Sequence, residues 1–319
     1  TIRQHCYRET LRVETEYSAE SFTVHQYDLT LGRAHVTHVV LRGAVPRDAR
    51  LVWFATIAPE GEERRVGTLV HEDGGPDGAS VLEVYHRREH DYLTASTGLD
   101  AIHGQRPERF AEILDDAPVL FPRQEPTEDH ERTRLTGDVL VTAPLDSTGR
   151  NTSTTLVSLL SDREETDRET ALSNLTACTR SHERAEDLRR AARDRSRFNV
   201  SDATPRSGMV RTDLRVMDLL SAPAGGRIAA PEFDPFYAHS GGYGYVWFRD
   251  EAAVSQHLLA AGEHLDIETA DSLFDSARFL CDHQLPNGTW PHRVWATDGS
   301  LAPGWANATV ERGEGDTQY

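Results

Sequence analysis

Two stretches of the chain concentrate the residue types that recognise a polyhydroxylated ring. One is GGRIAAPEFDPFYAHSGGYGYVWFRDEAA, residues 225–253. The other is LPNGTWPHRVWATDGSLAPGW, residues 285–305. Four of the five tryptophans fall in them: Trp247, Trp290, Trp295 and Trp305. A sugar presents C–H faces that pack on flat aromatic rings, and hydroxyls that require donors and acceptors in fixed places. Tyr245, Trp247, Trp290 and Trp295 offer such rings. The adjacent Arg249 and Asp250 offer a forked donor and a carboxylate acceptor. The bland alternative is a helix N-terminus, where Asp250 and Glu251 complement the dipole and the aromatics are core.

Other patterns are weaker. His86-Arg87-Arg88-Glu89-His90 fits the H-x-x-E-H zinc pattern. That chemistry needs both histidines on one helix face and a further ligand. Here the run continues the strand-like VLEVY, so a solvated strand end is expected and no metal. Gly241-Gly242-Tyr243-Gly244 lacks the Lys of a phosphate-binding loop and the strand of a dinucleotide motif; it reads as a flexible loop. All five asparagines, Asn151, Asn174, Asn199, Asn287 and Asn307, stand in N-x-S/T sequons. Glycosylation would require export, and turn or cap positions are the expected reading. Cys6, Cys178 and Cys281 are too sparse for a disulfide framework or a CxxC motif. No metal or organic cofactor is implied.

The elements that must position the aromatic loops change character along the chain. The first half alternates or runs apolar over 11–17, 22–29, 35–41, 51–57, 66–71, 81–85, 135–142 and 154–160, punctuated by Gly, Pro and Asp. Many short strands at this spacing predict a β-sandwich over 1–162, interrupted by one short helix at 107–114. Ser161 and Asp162 are expected to cap a helix with Ala171, Leu172, Leu175 and Cys178 on its apolar face. The charged segment 183–197 has thin apolar content and suits a bridge, making 163–204 a helical linker. Three amphipathic helices follow in 205–319. Their apolar positions are Leu214, Met217, Leu220 and Ser221; then Ala252, Val254, His257, Leu258 and Ala261, ending at Gly262; then Ala270, Leu273, Phe274, Ala277, Phe279 and Leu280, ending near Pro286.

The whole chain has 319 residues, 38% hydrophobic and 27% charged, a length for about two domains. Its formal net charge is −18, dispersed along the chain. Such a surface repels phosphate backbones and anionic membranes, which argues against nucleic acid and membrane partners. Every basic residue except histidine is Arg; there is no Lys. Dispersed carboxylates keep a protein hydrated in concentrated salt, so the composition suggests an extreme halophile; a high-GC genome favouring Arg codons is the alternative. No apolar run is long enough for a membrane span, and the polar N-terminus shows no signal peptide, so a cytoplasmic location is expected.

The run Tyr245-Val246-Trp247-Phe248-Arg249-Asp250 is preceded by GGRIAAP and followed one helix later by NGTWPHRVW, residues 287–295. This pattern resembles the glycoside hydrolase family 15 glucoamylases, in the bacterial and archaeal branch that includes glucodextranases and some trehalases. The resemblance is specific over 205–305 and only architectural over 1–200. It implies a β-sandwich, a helical linker and the start of an (α/α)6 barrel. It further implies an exo-acting α-glucosidase of glucoamylase type, releasing terminal glucose from an α-glucan or gluco-oligosaccharide with inversion. Arg249 and Asp250 would hold that glucose, with Tyr245, Trp247 and Trp295 lining the pocket. Inversion needs two carboxyls about 6.5–9.5 Å apart. The family's acid and base come later in the barrel than the few helices present here, and Glu311 and Glu314 match neither. No catalytic residue is therefore assigned. The incomplete barrel points to a truncated portion of a longer enzyme, or to a partner polypeptide that completes it. A trehalase or glucodextranase of the same branch, a non-catalytic carbohydrate-binding remnant, and a related sugar phosphorylase are the alternative readings.

Overall fold

A computed structural model describes residues 1–7, 10, 12–59, 66–104, 137–147, 152–194, 198, 200–230, 243–265, 267–296, 298–302 and 317–318. The helix expected at 107–114 lies outside them. The chain divides into two units, one of residues 1–7 and 11–194, the other of 8–10 and 195–319. No helix among the described residues is long and apolar enough to cross a membrane.

The first unit is built from strands β1 (Ile2–Tyr7), β2 (Arg12–Ser18), β3 (Phe22–Leu31), β4 (Ala34–Gly43), β5 (Arg50–Thr56) and β6 (Gly67–His71). These are followed by β7 (Val81–His86), β8 (Glu89–Ala95), β9 (Ala101–Gly104), β10 (Asp138–Pro144) and β11 (Thr152–Leu159). Eight of them make one sheet in the order β1-β2-β3-β4-β11-β8-β7-β6, and three make a second, β5-β10-β9. All pairings within both sheets are antiparallel. The β3–β4 hairpin closes through Gly32-Arg33, with Leu31 opposite Ala34. Gly32 takes φ +58°, where a side chain would be strained.

The period of two along each strand divides the apolar residues between two cores. Leu82, Val84 and Leu93 of the large sheet, with Val66, meet Val139, Val141, Trp53 and Ala55 of the small one. This is the expected β-sandwich. The other face of the large sheet presents Val36, Val81, Tyr92 and Val157 to α1 (Arg168–Ser181) and α2 (Ala185–Asp194). Leu188 and Ala192 of α2 are fully buried there, so the segment expected to be only a bridge lends its narrow apolar face to this core. The cap of α1 is Asp167, whose carboxylate accepts from the Thr170 N–H at 2.7 Å. Asp162, expected as part of that cap, instead turns the chain ahead of the helix and accepts from Arg88 and the Glu164 N–H.

The same face holds a charge cluster around the buried Glu83. Glu83 accepts from Arg168 Nε at 2.9 Å and Nη2 at 3.1 Å, with His71 Nε2 at 2.7 Å. Burial alone would raise the Glu83 pKa, but these hydrogen bonds hold it below the usual carboxylate range. The H-x-x-E-H run beside it is a hairpin rather than a helix. His86 pairs with Glu89 across Arg87-Arg88, with Arg87 at φ +43°.

The second unit contains α3 (Ser207–Leu219), α4 (Phe248–Leu265) and α5 (Ala270–Asp282). Leu214 of α3 and Leu258 of α4 pack with Phe198, Val200 and Ile267 in one cluster. Two corrections concern the helical stripes. Helix α4 does not end at Gly262 but runs on to Leu265. Its Ala252 and His257, and Phe274 and Ala277 of α5, are exposed rather than core. In their place α4 buries Glu251, and α5 buries Ser272 and Ser276 beside Phe279.

Candidate functional site

The site is assembled on a short ribbon. Strand β12 (Val246–Trp247) pairs antiparallel with β14 (Arg293–Val294). The segment 228–230 lies along β12, through an Ile228–Val246 bridge and hydrogen bonds from Ala229 N to Tyr245 O and Ala230 N to Tyr243 O. Two further pieces, β13 (Trp290–Pro291) and β15 (Thr317–Gln318), pair with each other. Alternation sorts the ribbon's side chains. Val246 and Val294 face a core with Phe248, Phe279 and Ile228. Trp247 opposes Arg293, so both project to the other face.

Helix α4 begins at Phe248, directly after β12. The strand-to-helix junction thus places Arg249 and Asp250 in the first turn, next to Trp247. Their side chains are 69% and 47% exposed. Arg249 Nη2 lies 3.3 Å from Asp250 Oδ2. A cavity of about 340 Å³ opens here, lined by Ala229, Tyr243, Trp247, Arg249, Asp250 and His292. The His292 ring stands edge-on to Trp247, with centroids 4.7 Å apart.

Of the six residues expected to bind a ligand, the structure brings Trp247, Arg249 and Asp250 to the cavity wall. Tyr245 is only 1% exposed and lies behind the wall, edge-on to Trp295 at 4.8 Å. Trp290 is tied elsewhere, its Nε1 donating to the Leu280 carbonyl at 2.7 Å. Trp305, Glu311 and Glu314 lie outside the described residues. Sequence reasoning missed Ala229, Tyr243 and His292 as lining residues. Tyr243 and His292 did stand inside the two aromatic stretches, but their role depends on the ribbon's pairing.

Beneath the cavity rim, Glu251 anchors the start of α4. Its carboxylate accepts from the Arg227 N–H at 2.9 Å and from Arg227 Nη1 at 2.5 Å. Arg227 also donates to Ser276 Oγ at 2.6 Å and Ser272 Oγ at 2.5 Å of α5. The ion pair is buried on both sides. It joins the segment leading to Ala229, the first turn of α4 and the middle of α5. The arrangement can present one cation, one carboxylate, an imidazole and two aromatic side chains to a small neutral ligand. Among the described residues no group of three or more His, Cys, Asp and Glu gathers as a metal site would require.

The chain resembles a bacterial glucoamylase whose crystal structure contains acarbose, with a TM-score of 0.63 at 13% identity. The likeness covers 94% of this chain and 44% of that one, so the chain spans less than half the glucoamylase's length. It shows a glycoside-hydrolase-like fold. A family GH92 α-mannosidase from Bacteroides thetaiotaomicron, in complex with mannoimidazole, is 9% identical and covers 94% of this chain and 36% of its own. Its TM-score is 0.31. No curated protein matches the sequence. Residues 1–171, more than half of the 319, match the family described as Domain of unknown function (DUF7997), and the chain belongs to that family.

Proposed function

We propose that the cavity at the head of α4 binds the terminal glucose of an α-linked glucan or gluco-oligosaccharide, as part of an exo-acting, inverting α-glucosidase of glucoamylase type. The supporting observation is the cavity itself: Trp247, Arg249, Asp250 and His292 converge on about 340 Å³. That volume stands at the small end of ligand pockets, roughly 300–1,000 Å³, and suits one sugar ring rather than an extended chain. Trp247 offers a flat wall, while Arg249 and Asp250 offer a donor fork and an acceptor for neighbouring hydroxyls. In this reading 205–319 is the opening of an (α/α)6 barrel, preceded by the β-sandwich of 1–162 and the helical segment 163–204. The acidic, lysine-free surface is that of a halophilic protein.

One observation favours a second reading, sugar binding without turnover. Asp250 is the one carboxyl among the described residues lining the cavity. Inversion requires two carboxyls about 6.5–9.5 Å apart, an acid and a base, besides the Asp250 that holds the sugar. On the hydrolase reading both are supplied from beyond this cavity lining, as by a partner polypeptide that completes the barrel. The experiment is glucose release from maltotriose in molar KCl by the folded chain, with Arg249→Ala and Asp250→Ala beside it. Release as the β-anomer, lost in both variants, supports the hydrolase. Binding of maltotriose without release, lost in the same variants, supports the binding module. Release that survives both substitutions contradicts either reading.

A further inference from the structure

We propose that Arg293 is a positioning residue for the cavity wall: its buried guanidinium holds the Trp247 indole in the plane that a bound sugar ring meets. This rests on the reading of the cavity as a sugar site. The geometry behind it is a continuous row of groups on one face of the β12–β14 ribbon. Trp295 stands edge-on to Tyr245; Arg293 lies over Tyr245 and Trp247; Trp247 stands edge-on to His292. The Arg293 Cζ is 5.1 Å from the Tyr245 ring centroid and 5.3 Å from that of Trp247. Both fall within the roughly 6 Å over which a cation is attracted to an aromatic face. Only Trp247 and His292 of this row line the cavity. Arg293 is therefore the junction between Tyr245, which is buried behind the cavity, and Trp247, which is 7% exposed and lines it.

Three features make the junction a constraint rather than a chance contact. Arg293 is directly opposite Trp247 in the ladder, so backbone pairing fixes the distance between their side chains. Arg293 is buried, 3% exposed, which strengthens its attraction to the rings and removes competing water. Its guanidinium is planar and spans two rings at once, which a lysine ammonium cannot do. An aromatic wall contributes to sugar binding only when its plane is fixed before the ligand arrives, because each freed rotor must be ordered again on binding. Removing Arg293 should leave Arg249 and Asp250 in place and still weaken binding through Trp247.

The test uses the full chain labelled with 5-fluorotryptophan, the Trp247 resonance being assigned by its loss in Trp247→Phe. Arg293→Met removes the cation, Arg293→Lys keeps the charge without the plane, and Leu258→Ala serves as a control. The control lowers stability through the separate α3–α4 core and does not touch the ribbon. The expected result is a shifted or broadened Trp247 fluorine line in Arg293→Met, a smaller change in Arg293→Lys, and none in Leu258→Ala. Maltose affinity should fall at least fivefold in Arg293→Met and be unaltered in the control. Should Arg293→Met not fold, Arg293→Lys is read by the same line and the same titration. An unmoved Trp247 line in the Arg293 variants overturns the proposal, as does a moved line with unchanged maltose affinity. A wild-type chain that binds no maltose refutes the sugar reading, and the Trp247 line then decides the positioning claim alone.

Discussion

Neighbouring carboxyls in the first turn of α4 have opposite physical tasks. Asp250 is half-exposed at the cavity, whereas Glu251 is buried against Arg227. Replacing Glu251 with Ala leaves a buried guanidinium without its counter-ion, an expected loss of about 3–5 kcal/mol in urea unfolding. Asp250→Ala is expected to change stability by less than about 1 kcal/mol, the size of a helix-end charge effect, while weakening sugar binding at least tenfold. Equal stability losses in the two variants would contradict this division. A third carboxyl, Asp91 in the first unit, titrates unusually. Burial, and then the charge of Glu89, push its pKa up to about 7. The folded chain therefore binds this proton more tightly than the unfolded chain. The resulting stability is full below the unfolded pKa, about 3.9, and is lost as pH rises through about 7. Each raised pKa unit is worth roughly 1.4 kcal/mol. Asp91→Asn, which keeps an acceptor for the Ser161 N–H, is expected to flatten the decline in melting temperature over that window and to melt higher than wild type at pH 8. A variant that keeps the full wild-type decline would contradict the assignment.

Helix α4 shows how packing overrides a local signal. Gly262 reads as a stop in the sequence, yet the helix continues past it to Leu265. The reason is space: a Cβ there would meet Thr269 Oγ1 at 2.6 Å and the Ile267 carbonyl at 3.2 Å. Gly→Ala in a helix interior ordinarily stabilises by about 1 kcal/mol. Here Gly262→Ala is expected to destabilise by about 1–3 kcal/mol through overpacking, read as a lower melting temperature. A raised melting temperature would show that the approach relaxes freely. Most strands were legible because their alternation survives: β2 to β7, β10 and β11 fall on the expected runs. Strand β8 was not, because Glu89, His90 and Asp91 look solvated in sequence; His90 and Asp91 are buried in the sheet. Strand β1 carries no pattern, since all its residues are exposed. The stripe of α5 was misjudged for a related reason. Ser272 and Ser276 belong to the interior as acceptors for Arg227, and Phe274 does not, being 69% exposed. Of the site, Trp247, Arg249 and Asp250 were readable from residue type alone. The contributions of Ala229 and His292 arise only when 228–230, β12 and β14 come together from distant parts of the chain.

Charge acts on the molecule as a whole. A net −18 over 319 residues, with no lysine, puts many carboxylates within reach of one another. The Debye length shortens from about 10 Å at 0.1 M salt to about 3 Å at 1 M, so added salt relieves that repulsion. The urea midpoint is expected to rise from low to molar KCl; a midpoint indifferent to KCl would contradict a halophilic surface. The glycoside-hydrolase-like fold and the cavity at the head of α4 meet in one claim, that this cavity receives a hexose ring. Calorimetric titration of maltose into the folded chain in molar KCl, with Asp250→Ala as its partner, tests it most directly. One-site binding by the wild type is expected, at least tenfold weaker in the variant, with both chains unfolding at closely similar urea concentrations. No heat of binding from a folded wild-type chain, or equal affinity in the two, would contradict it.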